Sequence, residues 1–564
     1  MSRSRLPAAR LLATLVATLL ASPSAAPAQV NPFAAAAADD SLAPPPVVAR
    51  EFRAAWLSPV YGSGMSDWPS APGLPAEQQK AELRALLDCA RDAGLNTVVL
   101  HVRMAGDALY PTPLAPWSAF LSGKSGVAPE PFYDPLAFAV AEAHARGLQL
   151  HAWFNPFRAM LPNFVGAAAR SHVTREHPEW VRRYGGETWI DPGEPAARRA
   201  VLATIVDVVK RYDVDGVHID DYFYPYRETE TIRRRVGKGK RRHTVTTRRE
   251  IPFPDAATWR RYGAGHGWSD RDAWRRSNVD GLVKEMYAQV KKEKPWVMVG
   301  VSPFGIWRPG SPPGITGLDA YSEIYADSRR WLREGWMDYL APQLYWALNG
   351  EQSRFRVLDR WWHSENVQGR HIWPGINTTR VGAPRASWPA SEIYAQVSAI
   401  RQGRADAAAS NIPAGAGDDG DAVGALDSPG HVHFRLGAIC GGDRRAPLAT
   451  AMHEALYRDP AIVPAAPWLD ARVPAAPSVT ALGVTGMLSV VPADDTPVSW
   501  WLVQWREADG SWKSRLRRVE EHGAAPVALD AGANPTAVAV SAVGRAGVSG
   551  KATVVVMPKR LTRR

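Results

Sequence analysis

The chain reads as an α/β protein, a (β/α)8 TIM barrel followed by a small all-β sandwich domain. Three observations predict this. Between about Arg50 and Asp459, apolar runs of strand length alternate with amphipathic helical patterns, and eight such pairs can be counted. From Ala475 onward the helical patterns stop, and short β-rich runs separated by turn residues take over. The length of 564 residues calls for more than one domain, and Pro464, Ala465, Ala466 and Pro467 sit at the change of pattern.

Residues 1–28 have the composition of a signal peptide. Arg3, Arg5 and Arg10 precede the apolar run LLATLVATLL (11–20), which is short for a membrane span, and Ala26-Pro27-Ala28 fits a small-residue cleavage site. No cysteine follows the apolar run, so no lipoprotein signal is expected. The product is expected to be periplasmic or secreted, and not membrane-spanning once the signal is removed. Loss of three Arg and no acid takes the formal charge from +11 to +8, still basic and suited to an anionic envelope partner. Residues 29–49, rich in Ala and Pro, read as a flexible lead-in. Cys89 and Cys440 are too few for a disulfide framework; they read as a single pair or as two buried thiols, with the thiols preferred.

The barrel is assigned to residues 50–460. Its eight strands are RAAWLS (53–58), NTVVLHVR (96–103), LQLHAWFN (148–155), VDGVHIDD (214–221), VMVGVS (297–302), DYLAPQLYW (338–346), HIWPGIN (371–377) and HVHFRL (431–436). Helical patterns fall between most of them, with Ala76 to Gly94 and Ala196 to Tyr212 the clearest. Residues 461–474 read as a linker. Residues 475–564 read as the sandwich, and its runs SWWLVQWREADGSWKSRL, AVAVSAVGRAGVSG and ATVVVMP resemble a fibronectin type III module.

Side chains alternate faces along a strand, so residues lining a barrel should share one parity in each strand. His101 and Arg103, His151, Trp153 and Asn155, His218 and Asp220, Gln343 and Tyr345, and His371, Trp373 and Asn377 all do. Barrel active sites lie at the carboxyl ends of the strands, so the last inward residue of each is a candidate: Arg103, Asn155, Asp220, Tyr345 and Asn377. The competing reading for each is a hydrogen-bonded lumen residue. For Asp220 the functional reading leads, because the polar pair His218 and Asp220 is costly to desolvate and the aromatics Tyr222, Phe223 and Tyr224 follow at once.

That combination of carboxyl groups and flat aromatic faces points to glycoside hydrolysis. One carboxyl group protonates the leaving oxygen, and a second attacks the anomeric carbon or activates water. The catalytic candidates are Asp220, Asp221 and Glu323. Alternation should turn Asp221 away from Asp220, and Glu323, in the long segment after the fifth strand, is the preferred second carboxyl, against a reading as a solvated loop residue. Asp327 in YADSRRWLREGW reads first as a helix start and second as a substrate contact. Among the 23 Trp residues, Trp153 and Trp346 stand at strand ends and are the sugar-binding candidates. The substrate-binding set is Arg103, Trp153, Asn155, His218, Tyr222, Asp327, Gln343, Tyr345, Trp346 and Asn377. No metal-ligand spacing is present and no cofactor is expected.

From about Arg50 to Leu456 the chain resembles the glycosyl-hydrolase-like family ten. The resemblance rests on REFRAAWLSPV, HVRMAGDALYPT, HAWFNPFRA, WIDPGEPAARR, DGVHIDDYFYPY, VSPFGIWR and YADSRRWLREGWMDYLAPQLYW. The family's bacterial members include a divisome-localised glycosidase acting on peptidoglycan strands. The resemblance implies a barrel active on glycan, with Asp220 and Asp221 in the family's carboxylate motif and Gln343, Tyr345 and Trp346 in its substrate-facing one.

Two departures from the family pattern follow. Between Tyr226 and Ile251 the chain carries RRRVGKGKRRHTVTTRR (233–249), with nine Lys or Arg and no acid. Over the barrel mouth it would attract the lactyl carboxylates of muramic acid in glycan stripped of peptides, or another anionic polymer; the alternative is a disordered solvated insert. The lipoprotein cysteine is absent. The Ala/Gly/Asp-rich segment 405–430 precedes the eighth strand and reads as a flexible insert on the opposite face.

The expectation is an exported glycoside hydrolase cutting a cell-envelope polysaccharide, most simply peptidoglycan glycan strands, with Asp220 as nucleophile or base and Glu323 or Asp221 as acid. The alternatives are an amylase-like α-glucan hydrolase and a non-catalytic glycan-binding protein. The C-terminal module would take a cell-division or envelope partner, and export disfavours a nucleic-acid role for the basic segment.

Overall fold

A computed structural model describes residues 44–59, 66–162, 164, 166–236, 243–350, 354–383, 387–410, 429–441, 446–482, 487–519, 526–529 and 535–557. The expected signal peptide and most of the lead-in therefore lie outside the described residues, as does 411–428 of the Ala/Gly/Asp-rich segment. Residues 405–410 belong to the helix that precedes it.

All eight predicted strands are present: β1 Phe52–Leu57, β2 Thr97–Arg103, β3 Gln149–Phe154, β4 Gly216–Ile219, β5 Met298–Val301, β6 Tyr339–Leu340, β7 in two pieces, His371–Ile372 and Gly375–Ile376, and β8 Gly430–His433. All pairings are parallel. The first piece of β7 pairs with β6, the second pairs with β8, and β8 pairs with β1, so the sheet returns to its start and closes. Pro374, which has no N–H to give to a ladder, stands between the two pieces.

Helices separate the strands: α1 Ala76–Asp92, α2 Pro135–Ala145, α3 Pro195–Arg211, α4 Arg271–Glu293, α5 Ser328–Arg333, α6 Arg354–Ser364 and α7 Ala390–Ser410, with α8 Leu436–Cys440 after β8. Local chemistry sets their ends. Asp134 accepts hydrogen bonds from the backbone N–H groups of Leu136 and Ala137, and Pro135 occupies the first turn of α2, where its missing N–H costs nothing. Gly94 ends α1 at φ 85°, and a Cβ there would lie 2.5 Å from Tyr457.

The lumen is filled by aromatic rings. Phe52 stacks on Trp373 at 3.8 Å, and Tyr339 lies 5.6 Å from Phe52 and 5.0 Å from Trp373. Gly300 makes room for this layer, because a Cβ on it would sit 2.0 Å from the Tyr339 ring. Above the layer a polar chain runs across the barrel. Trp56 Nε1–H donates to His218 Nε2 at 3.2 Å, His218 Nδ1 meets the Tyr339 hydroxyl at 3.0 Å, and that hydroxyl meets His151 Nδ1 at 2.9 Å. Burial holds His218 neutral, its pKa pushed down to about 3, and His151 likewise at about 4.

The amino-terminal face of the barrel is covered. Ala49–Arg50 pairs in parallel with Ala461–Ile462, so the end of the lead-in is held in place. The 461–474 connection is packed: Val463, Ala465 and Ala466 are buried and Trp468 Nε1 donates to Asp338 at 2.9 Å. The C-terminal region forms two antiparallel sheets. One is β9 Ser478–Ala481, β10 Met487–Val491 and β13 Val527–Ala528, and the other is β11 Val498–Arg506, β12 Trp512–Arg518, β14 Ala537–Gly544 and β15 Thr553–Val556. Leu488 and Val490 of the first sheet share a core with Trp501, Val503, Trp505, Val538 and Val540 of the second. This sandwich docks beneath the barrel, where Arg545 pairs with Asp213 at 3.1 Å and Trp500 lies 5.4 Å from His144.

Two open readings are decided. The cysteines are the pair and not the preferred thiols: Cys89 near the end of α1 and Cys440 at the end of α8 form a disulfide across 351 residues. Closure of the barrel packs its last helix beside its first, a proximity that counting cysteines cannot reveal. The described part of the basic segment is not disordered: residues Thr229–Val236 and His243–Glu250 pair as an antiparallel hairpin, exposed along most of its length.

The disulfide predicts that the unfolded, unreduced protein shows no free thiol to Ellman's reagent. Cys89→Ser/Cys440→Ser should lose about 2–4 kcal/mol in equilibrium denaturation.

Candidate active site

A cavity of about 260 Å³ opens at the carboxyl ends of the strands. Its floor carries Asp220 and Asp221, which follow β4 at Ile219. Alternation predicts that Asp221 turns away, but the ladder has ended at Ile219, so the period of two no longer governs and both carboxyls line the cavity.

Asp220 is 5 % exposed. Its Oδ2 accepts from Trp153 Nε1 at 3.1 Å and from Asn155 Nδ2 at 3.2 Å, while its Oδ1 is buried without a hydrogen-bond partner. Burial, and then the neighbouring charge of Asp221, push its pKa up to about 7. Asp221 is also raised by burial, but hydrogen bonds from Tyr226 and Gln343 favour its charged form. The two adjacent carboxyls are thus treated differently: Asp221 accepts from Tyr226 and Gln343, while Asp220 keeps one oxygen unpartnered and a tendency to hold its proton.

The nearby cation is Arg158. It lies on a three-stranded antiparallel insert after β3, built from Arg158–Met160, Val181–Tyr184 and Glu187–Ile190. Its guanidinium pairs with Glu187 at 3.3 Å and covers the Tyr222 ring at 3.5 Å, and its charge opposes the rise in both aspartates. Trp56, Trp153, Tyr222, Tyr345 and Phe434 give the cavity its aromatic walls. His101 stacks on Trp153 at 3.7 Å and bonds Ser58 Oγ through Nδ1 at 2.9 Å. Its Nε2 and the Ser302 Oγ are buried without partners, and both residues line the cavity.

Of the candidates, the structure brings Trp153, Asp220, Asp221, Tyr222, Gln343 and Tyr345 to the cavity. Asn155 and His218 lie behind it, the first holding Asp220 and the second in the lumen chain. Five others are elsewhere. Arg103, past an irregularity in the β2–β3 register, donates to the backbone carbonyls of Asn155 and Pro156 at 2.6 and 3.2 Å. Glu323, the preferred second carboxyl, is not among the residues lining the cavity; it folds back onto the backbone N–H of Asp319 at 3.2 Å, closing a short helix end. Asp327 caps α5 and accepts from Trp307 Nε1 at 3.0 Å. Trp346 packs edge-on against Phe304, and Asn377 accepts from Thr379 Oγ1 at 2.6 Å.

Strand-end reasoning missed Trp56, His101, Arg158, Ser302, Phe434 and Tyr226. Trp56 has the inward parity and is found once aromatic residues are counted with polar ones. Arg158 stands four residues beyond β3, where no periodicity reaches. Among the described residues, no cluster of His, Cys, Asp or Glu could hold a metal ion.

Residues 51–390 match the family described as glycosyl hydrolase-like 10. The chain belongs to that family. It is 36% identical over 444 residues to a glycosyl hydrolase, YngK, of Bacillus subtilis strain 168, spanning 76% of each chain. It is 35% identical over 353 residues to the glycosyl hydrolase DigH of Escherichia coli K12, spanning 59% of this chain and 74% of that one. Among solved structures, the PgaB (BpsB) glycoside hydrolase domain of Bordetella bronchiseptica aligns over 71% of this chain and 99% of its own, at 15% identity and a TM-score of 0.41. Membership of glycosyl hydrolase-like 10 places the chain among the glycoside hydrolases.

A carboxyl raised to about 7 from its ordinary 3.8 makes folding favour its protonated form. The stability it lends is fully present below about pH 4 and is lost as pH rises through about 7. Asp220→Asn removes that loss, so its melting temperature relative to wild type should climb between pH 5 and pH 8 in differential scanning calorimetry.

Proposed function

We propose that this member of glycosyl hydrolase-like 10 cleaves glycosidic bonds in an anionic cell-envelope polysaccharide, the glycan strands of peptidoglycan, with Asp220 as the proton donor. The observation that carries the reading is the Asp220 carboxyl: buried, raised to about 7, and presenting an unpartnered oxygen in an aromatic cavity. A group protonated near neutrality can give its proton to a leaving oxygen. The proton-donor reading is preferred here to nucleophile or base for Asp220, because a nucleophile must be ionised and hydrogen bonds from Tyr226 and Gln343 favour the charged form of Asp221.

The envelope substrate is supported by three features. The leader has the pattern of an export signal; the sequence resembles a family with a peptidoglycan-acting member; and the exposed basic hairpin leaves β4 on the same side as the cavity, with Arg233, Arg234, Arg235 and Arg248 along it. The export pattern supports a periplasmic or secreted location. The sandwich, with seven strands among its described residues in sheets of three and four, supports the fibronectin type III resemblance and a role for it in taking an envelope partner. The α-glucan alternative needs a carboxylate from the segment after β5, and Glu323 does not supply one to the cavity.

The test is product release from purified glycan strands, with and without stem peptides. Wild type should release sugar products, and Asp220→Asn should lose ~10²–10⁴-fold in rate. Glu323→Gln should retain activity. The wild-type rate should fall about tenfold per pH unit above about 7 as Asp220 ionises. Retained glycan pulldown without product would point to a binding protein instead.

A further inference from the structure

Glycoside hydrolysis with two protein carboxyls places them on either side of the scissile bond, roughly 5–5.5 Å apart for retention or 6.5–9.5 Å for inversion. Among the described residues that line the cavity, the carboxyls are Asp220 and Asp221, consecutive in sequence and close enough that the charge of one shifts the other. A proton donor is present, but no described lining residue brings a carboxylate to it from another strand.

We infer that the missing nucleophile belongs to the substrate: the cavity takes a sugar bearing a 2-acetamido group, and Asp221, held by Tyr226 and Gln343, orients that group so that its carbonyl oxygen attacks the anomeric carbon. This rests on the glycosidase reading above and names its substrate class and its mode of attack. Asp220 Oδ1 gives its proton to the glycosidic oxygen as the C1–O bond breaks. The acetamide oxygen forms the new bond to C1, and the resulting oxazolinium ring carries its positive charge on the N–H that Asp221 accepts. Water then attacks C1, Asp220 takes back a proton from it, the ring opens and the acetamide is restored. Two displacements at C1 leave the configuration retained.

The rest of the cavity suits such a ligand. Asp221 needs donors on its flanks and one free acceptor direction, and the Tyr226 hydroxyl and Gln343 supply the donors. Gln343 is itself fixed by its Nε2 donating to the Ser302 carbonyl at 3.2 Å. The unpartnered His101 Nε2 and Ser302 Oγ are buried polar groups that a bound sugar's hydroxyl or amide groups would satisfy. Aromatic faces at Trp56, Tyr345 and Phe434 are apolar surface against which an acetyl methyl can pack.

The experiment compares purified N-acetylated glycan strands with the same strands after chemical de-N-acetylation, and with those strands re-acetylated. Cleavage of the N-acetylated strands, loss of at least ~100-fold on de-N-acetylation, and recovery on re-acetylation are expected, the factor being that of a lost catalytic group. N-acetylglucosamine-thiazoline, which mimics the bicyclic intermediate, should inhibit competitively, and NMR should show the product released with retained configuration. Asp221→Asn should reduce turnover while a 2-deoxy-2-fluoro glycoside leaves no adduct on the wild-type enzyme by mass spectrometry. Equal cleavage of acetylated and de-N-acetylated strands, a covalent glycosyl adduct on a carboxylate, or an inverted product would overturn the inference and leave the glycosidase standing. No cleavage of any strand would overturn both.

Discussion

A carboxyl group is buried at the end of β4, and the site is arranged around the difficulty of keeping it there. An isolated carboxylate taken out of water costs several kcal/mol even after relaxation. Asp220 escapes most of that by holding its proton, with Oδ2 accepting from Trp153 and Asn155 and Oδ1 left open to the cavity. The two donors come from β3 and the residue just beyond it, and β3 is hydrogen-bonded directly to β4. Any shift in that register would move Trp153 and Asn155 away from the carboxyl together. The geometry of the acid is therefore a property of the sheet rather than of a loop.

The sheet is held in turn by what fills it. Phe52, Tyr339 and Trp373 occupy the lower lumen only because Gly300 and Gly430 leave their space open. The hydrogen-bonded chain from Trp56 through His218 and Tyr339 to His151 then sets the layer directly beneath the cavity, the neutral His218 accepting at Nε2 from Trp56 and so donating at Nδ1 to the Tyr339 hydroxyl. The sandwich and the 461–474 connection close the lower face, so the barrel opens to substrate at its carboxyl end.

Much of this could be read from the sequence because barrel strands report on themselves. Eight apolar runs gave the strand count, a shared inward parity in five of them pointed to the lumen, and every run became a strand. What the sequence hid depends on contacts between distant elements or on backbone beyond a strand's end. Cys89 and Cys440 meet because α8 packs beside α1. Asp221 turns inward because the ladder stops at Ile219. Arg103 leaves the cavity through an irregularity in its strand pairing. Glu323 and Asp327 carry the right charge for a catalytic role, but Glu323, inside a short helix, reaches back to the N–H of Asp319 and Asp327 caps the next helix.

Arg158 joins these threads. It arrives on an insert outside the barrel, yet it is the cation both aspartates sense and the plate that covers Tyr222. One positive charge, itself paired with Glu187, stands beside two acids. With both ionised, adjacent negative charges would share a buried wall; with both protonated, the Tyr226 and Gln343 donors would face an acid instead of an anion. The arrangement of least cost keeps one proton on the pair, and burial together with the neighbouring charge of Asp221 favours Asp220 as its place. The difference between the two carboxyls is thus set by burial, charge and hydrogen bonds around two identical side chains, without any difference in the residues themselves.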